Sequence, residues 1–216
     1  MKTNKHPVER IYLDDKRVKP QTIAHHVARY KFAVKYLVME EHKGEVTRFT
    51  KRQRVLDLGC GTGYGSDMLS KYGASVVGVD VSDIAITFAR DNYPQCKFGL
   101  ANVLVFLQRA KENQEKYDLI TFFEVIEHIS FAQGKEIVRL IHDVLTENGI
   151  FFLSTPKDTN GKYNTFHKSE WTYEILKNEL GSIFGDVEIR GQDWDTAKIT
   201  RTHVRENDFY ICICKK

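Results

Sequence analysis

The chain has 216 residues, 42% hydrophobic and 28% charged, close to the averages for soluble globular proteins and unlike a disordered or membrane-embedded one. Its 32 basic and 29 acidic residues leave a net charge of +3, far short of the dense basic stripe that by itself implies nucleic-acid binding. One α/β domain with a continuous core fits this length, and two full ones do not.

Residues 1–19 read as an irregular, polar lead-in. Met1 to Arg10 lacks the apolar run of a secretory signal, and no stretch approaches the ~20 apolar residues of a spanning helix, so a cytoplasmic protein without membrane contact is expected. Pro20-Gln21-Thr22 opens a helix in which Ile23, Val27, Tyr30, Val34, Leu37 and Val38 recur at helical spacings. Lead-in and helix, residues 1–45, are expected to precede the main domain, 46–216.

From Arg54 onward short apolar runs alternate with amphipathic helical patterns, the mark of parallel strands joined by crossover helices. Strands are predicted at Arg54 to Leu58, Ser75 to Asp80, Lys97 to Ala101, Asp118 to Phe123 and Ile150 to Ser154. Ile137, Leu140, Ile141, Val144 and Leu145 make one apolar helix face, ended by Asn148-Gly149. Lys157 to Lys168, with Asn160, Gly161 and Asn164, reads as a loop, and a helix follows from Ser169 to Phe184. Asp186 to Arg190 and Phe209 to Cys214 lack a clear crossover helix between them and should pair antiparallel at one edge. The fold class is α/β: a Rossmann-like doubly wound sheet, mostly parallel, with an antiparallel C-terminal edge strand and helices on both faces.

Cys60, Cys96, Cys212 and Cys214 form no CxxC pair and read as free thiols, with Cys212 and Cys214 on one face of a strand. Trp171 and Trp194 read as core residues. His6, His25, His42, His142 and His203 follow no spacing that suggests a site and read as surface or core.

The strongest chemical signal is Val55-Leu56-Asp57-Leu58-Gly59-Cys60-Gly61-Thr62-Gly63-Tyr64-Gly65, a strand entering a glycine-rich turn and a helix. Such a turn lets backbone approach a nucleotide-like ligand. The dinucleotide pattern G-x-G-x-x-G fails in both registers, since its third glycine falls on Tyr64 or on Ser66. Asp57 at the turn repels a pyrophosphate and suits an ammonium group, which favours a cationic cofactor. Asp80 ends the next strand, where a carboxylate accepts hydrogen bonds from ribose hydroxyls.

Asp57 to Gly63 followed by Val79-Asp80 resembles the first two motifs of class I S-adenosylmethionine-dependent methyltransferases. Phe98-Gly99-Leu100-Ala101-Asn102 resembles the third, Tyr117 to Ile120 with Phe122-Phe123-Glu124 the fourth, and Gly149 to Pro156 the fifth strand and its turn. The resemblance implies S-adenosylmethionine as cofactor, held by Asp57, Gly59, Cys60, Gly61, Thr62, Gly63, Asp80, Val81, Asn102, Val103 and Glu124. Asn102 stands where an aspartate is commoner, so an amide would meet the adenine. Glu9-Arg10 and His26-Val27-Ala28-Arg29-Tyr30 resemble the lead-in of bacterial methyltransferases with unassigned substrates. That implies a lid helix, with Arg29 binding the cofactor carboxylate; a solvated helix arginine is the alternative.

Glu124-Val125-Ile126-Glu127-His128 begins where the fourth strand ends, the edge at which open α/β sheets place reacting groups. His167 follows the fifth strand and returns to that edge. Glu124, Glu127 and His128 are the catalytic candidates, and with His167 they also suit a divalent metal such as magnesium or manganese. The set resembles the metal quartet of small-RNA 3′-terminal 2′-O-methyltransferases, including a His-Lys-x-Glu-Trp stretch at His167 to Trp171. Three readings stay open: methyl transfer to an oxygen or nitrogen of a small-molecule or saccharide acceptor, metal-dependent RNA 2′-O-methylation, and a catalytically silent cofactor-binding subunit.

Overall fold

The computed structural model describes residues 18–37, 41–42, 45–46, 53–157 and 166–216. Glu9-Arg10, Val38, Asn160, Gly161 and Asn164 therefore lie outside the described residues, as does most of the loop expected after Pro156.

The chain forms α1 (Pro20–Leu37), a short antiparallel pair β1 (Glu41–His42) and β2 (Glu45–Val46), then β3 (Arg54–Leu58), α2 (Tyr64–Ser70), β4 (Ser75–Asp80) and α3 (Asp83–Asn92). There follow β5 (Lys97–Leu100), α4 (Val103–Glu112), β6 (Tyr117–Phe123), α5 (Phe131–Val144), β7 (Leu145–Pro156), α6 (Tyr173–Gly181), β8 (Asp186–Gln192), β9 (Ile199–Thr200) and β10 (Phe209–Lys215). Eight strands make one sheet in the order β5-β4-β3-β6-β7-β10-β8-β9. Pairs from β5 through β7 are parallel, while β10 is antiparallel to both β7 and β8.

The sheet class is the one the sequence implies, and β8 and β10 form the expected antiparallel pair toward one end of the sheet. The C-terminal strand is not at the edge: β10 inserts between β7 and β8, and the two-residue β9 closes the sheet. Burial explains this position. All six residues from Phe209 to Cys214 are buried, and a strand covered on both faces needs neighbours on both sides for its backbone groups.

Local sequence sets the helix starts. Ser82, Asn102, Ser130 and Thr172 each accept a backbone N–H of the following helix, the N-cap bond that satisfies one of its unpaired donors. Two boundaries differ from expectation. α5 ends at Val144 and Leu145 is already extended, so Asn148-Gly149 lies within the irregular start of β7 and does not terminate the helix. α6 begins only at Tyr173, because Ser169 and Trp171 are tied to the segment after β6. Ser169 Oγ donates to Ile129 O at 2.8 Å, and the buried Trp171 indole donates to Ser169 Oγ at 2.9 Å.

Alternation along the strands divides the core. Leu56, Leu58, Ile120 and Phe122 pack with α4, α5 and α6, whereas Val55, Leu119 and Phe152 pack with α1, α2 and α3. Cys212 and Cys214 share the first face and all four cysteines are buried free thiols, as their spacing implies. Trp194 departs from its core reading: it is 38% exposed and stacks on Phe209. Tyr30, Val34 and Leu37 of the predicted α1 stripe are buried, but so are His25 and Arg29, polar residues that no apolar periodicity selects. No described helix is long and apolar enough to cross a membrane.

Candidate active site and cofactor cavity

A cavity of about 550 Å³ opens at the carboxyl ends of β3, β4 and β6, a size ordinary for cofactor sites. One half is lined by Gly59, Cys60, Gly61, Thr62, Asp80, Val81, Asn102 and Val103, the other by Glu124, Glu127, His128 and His167. α1 roofs it with His26 and Tyr30, and Tyr64 also reaches it.

The glycine turn is built by positive backbone φ at Gly59 (71°), Gly61 (53°) and Gly63 (85°). Its N–H groups are committed inward. Gly59 and Cys60 donate to Val79 O, Gly63 donates to Cys60 O, and Gly61 donates to Asp80 Oδ2 at 3.0 Å. These four amides, bonded to Val79, Asp80 and Cys60, are not free for a pyrophosphate, in agreement with the failed dinucleotide register. Asp80 Oδ1 accepts Ser82 N–H at 2.8 Å, so this carboxylate both shapes the turn and faces the cavity.

Three expected cofactor residues are not at the cavity wall. Asp57 is fully buried beneath the turn, where Oδ1 accepts the hydroxyls of Tyr30 (3.0 Å) and Thr121 (2.7 Å) and Oδ2 accepts that of Ser66 (2.7 Å). It joins α1, α2, β3 and β6. Burial pushes its carboxyl up to about 6 against the lowering effect of those three hydrogen bonds. Gly63 packs against Ala89 and Phe98, which leave no room for a Cβ there. Arg29 is neither solvated nor lining: it is fully buried, its Nε donates to Gln192 Oε1 at 2.8 Å, and its guanidinium lies 3.3 Å from Glu124 Oε1.

Asn102 lines the cavity, yet its Oδ1 accepts Leu104 N–H and Val105 N–H as the cap of α4. The oxygen expected to meet the adenine is thus engaged with backbone.

Glu124 adopts a positive φ of 55°, a strained conformation for a non-glycine residue. Ser154 holds it there. The Glu124 N–H donates to Ser154 O (3.1 Å), and Ser154 Oγ donates to Glu124 Oε1 (2.7 Å). Its carboxylate is thereby paired with Ser154 and Arg29 and does not join the expected metal quartet. The remaining three converge: ligand atoms of Glu127, His128 and His167 all lie within 4.8 Å of one another. Glu127 is buried, accepts Thr155 Oγ1 at 3.4 Å, and is held well above the usual carboxylate range, first by burial and then by the charge of Glu124. Backbone N–H groups of Lys168 and Ser169 donate to Glu127 O, which is what returns His167 to this edge.

Ser154, Thr155, Gln192, Thr121 and His26 were not among the residues expected to shape the site. The polar Ser154-Thr155 pair at the end of an apolar strand offered a signal for two of them, and the place of His26 in the expected lid helix a signal for a third.

The model of a methyltransferase domain matches residues 24–206. The chain belongs to this methyltransferase-domain family. A probable S-adenosylmethionine-dependent methyltransferase of Mycobacterium tuberculosis is 32% identical over 141 residues, covering 62% of this chain and 47% of that protein. A ubiquinone biosynthesis O-methyltransferase of Glaesserella parasuis is 34% identical over 116 residues, covering 51% and 48%. The methyltransferase domain described here thus spans about half the length of these curated relatives. Its fold is that of an S-adenosylmethionine-dependent methyltransferase from Archaeoglobus fulgidus, at a TM-score of 0.69, 19% identity, and 93% and 96% coverage of the two chains.

Proposed function

We propose that the protein is an S-adenosylmethionine-dependent methyltransferase that transfers the methyl group to an oxygen or nitrogen of a small-molecule or saccharide acceptor. The observation that carries this is the continuity of one cavity from the glycine turn and Asp80 to Glu127, His128 and His167. A cofactor seated at the first half presents its sulfonium toward the second. Methyl transfer is an in-line displacement in which the sulfur keeps the electron pair and the acceptor atom gains the methyl, so alignment supplies most of the rate. A hydroxyl acceptor also loses its proton, and His128, half-buried beside Glu127, is the base for it. The O-methyltransferase among the relatives supports an oxygen acceptor.

The test is transfer of radiolabelled methyl from S-adenosylmethionine into separate metabolite, RNA and protein pools. Label in the metabolite fraction is expected. Label confined to RNA would replace this reading with the second, and absence of transfer despite cofactor binding would favour a silent subunit.

One observation favours the second reading, metal-dependent RNA 2′-O-methylation. Two atoms bound to one ion at about 2.0–2.2 Å lie at most about 4.4 Å apart. The 4.8 Å spread of Glu127, His128 and His167 therefore needs only a small inward shift. A carboxylate with two imidazoles suits manganese, cobalt or zinc better than magnesium, and such an ion would polarise an acceptor hydroxyl. Titration with manganese(II), followed by its paramagnetic signal, should show one site that His167→Ala weakens at least about tenfold. Equal affinity in the two proteins would remove the metal.

A further inference from the structure

α1 carries two functional faces. His25 and Arg29, one turn apart, anchor the helix. The His25 ring lies 4.7 Å from that of Trp194 and its Nε2 2.6 Å from Trp194 O, while Arg29 reaches Gln192 and covers Phe209 at 4.5 Å. His26 and Tyr30, again one turn apart, line the cavity. Tyr30 stands over β3, where its hydroxyl meets Asp57. One turn earlier, His26 lies toward the ends of β6, β7 and β10, because its neighbours Arg29 and His25 contact Glu124 and Phe209, and Phe209 pairs with Pro156. Glu127, His128 and His167 line the same cavity.

We propose that His26 is an acceptor-binding residue whose ring nitrogen accepts a hydrogen bond from the acceptor's O–H or N–H, so that the acceptor is gripped between the roof helix and the sheet edge. This rests on the methyltransferase reading. The rigid anchoring of the helix favours it, since a hydrogen bond from a fixed group orients the acceptor lone pair toward the methyl carbon without further ordering. The ring also keeps the lone pair that such a bond needs: burial, then the charges of Arg29 and His25, lower its proton affinity well below that of an ordinary histidine.

Calorimetry with two cofactor-shaped probes tests the proposal without knowledge of the acceptor. S-adenosylhomocysteine has nothing in the place of the methyl, whereas sinefungin carries an amine there, a donor aimed at the acceptor position. His26→Ala should weaken sinefungin about tenfold and leave S-adenosylhomocysteine within about twofold. His26→Gln, which keeps an acceptor oxygen, should recover most of that loss. His26→Phe, which keeps ring bulk without nitrogen, repeats the test if alanine loosens the helix. An unchanged ratio of the two affinities in the Ala and Phe variants overturns the role of His26, and so does an equal loss for both probes. Failure of S-adenosylhomocysteine to bind the wild-type protein overturns the cofactor reading beneath it.

Discussion

The two halves of the cavity are built by different means. The cofactor half comes from a run of contiguous sequence, Leu58 to Thr62, and the ends of the next two strands, and its geometry lies largely in backbone: positive-φ glycines and amides bonded to Val79, Asp80 and Cys60. The acceptor half draws side chains from α1, the end of β6, the end of β7 and the segment before α6. There a strained Glu124 and a buried Glu127 stay in place only because Ser154, Arg29 and Thr155 hold them. A site made of backbone tolerates changes among its neighbours, whereas one made of paired side chains transmits them.

The largest expected effect lies beneath the cofactor half, at Asp57. Its folded-state pKa of about 6 exceeds the unfolded value of ~3.9, so the folded protein holds the proton more tightly. Stability from this group is therefore present below pH ~4 and is lost as pH rises toward about 6, the reverse of ordinary acid denaturation. Over that window the loss amounts to about 3 kcal/mol. Urea unfolding of Asp57→Asn should lack this slope. Parallel pH profiles in the two proteins would show that the three hydroxyls fully offset burial.

Asp80→Ala comes next. Loss of a carboxylate that holds the turn and faces the cavity should weaken S-adenosylhomocysteine binding by about 2 kcal/mol in calorimetry. Unchanged affinity in a folded variant would mean that the turn alone binds the cofactor.

Ser154→Ala should have the smallest effect on the whole molecule, about 1 kcal/mol of stability, because the hydroxyl's bond to the Glu124 carboxylate disappears along with its weaker one from the Glu124 N–H, which keeps Ser154 O as acceptor. S-adenosylhomocysteine should bind it as it binds the wild type while methyl transfer falls. A drop in cofactor affinity as large as that of Asp80→Ala would erase the distinction between the two halves.

The longer strands, their order of appearance and the glycine turn were legible in the chain, because each depends on neighbours a few residues away. Hydrophobic alternation marks a strand whatever the rest of the molecule does, whereas the capping roles of Ser82 and Asn102 emerged only from the structure. Asp80 and its place at the end of β4 were equally local. The residues whose surroundings were not legible were those whose partners come from afar. Asp57 has the position of a ligand contact in its motif, but Tyr30, Ser66 and Thr121 arrive from three other elements and enclose it. Arg29 has the pattern of a surface or ligand-binding arginine, yet it is buried, with Nε–H on Gln192, 163 residues away, and Nη1 3.3 Å from Glu124, while Nη1 and Nη2 make no hydrogen bond. Whether a charge faces a ligand, water or a buried partner is decided by which side chains the fold brings within hydrogen-bond reach, and no local spacing encodes that. For the same reason the sequence determined that β10 is an apolar strand, while only the competition of β7 and β8 for its two edges decided that it lies between them.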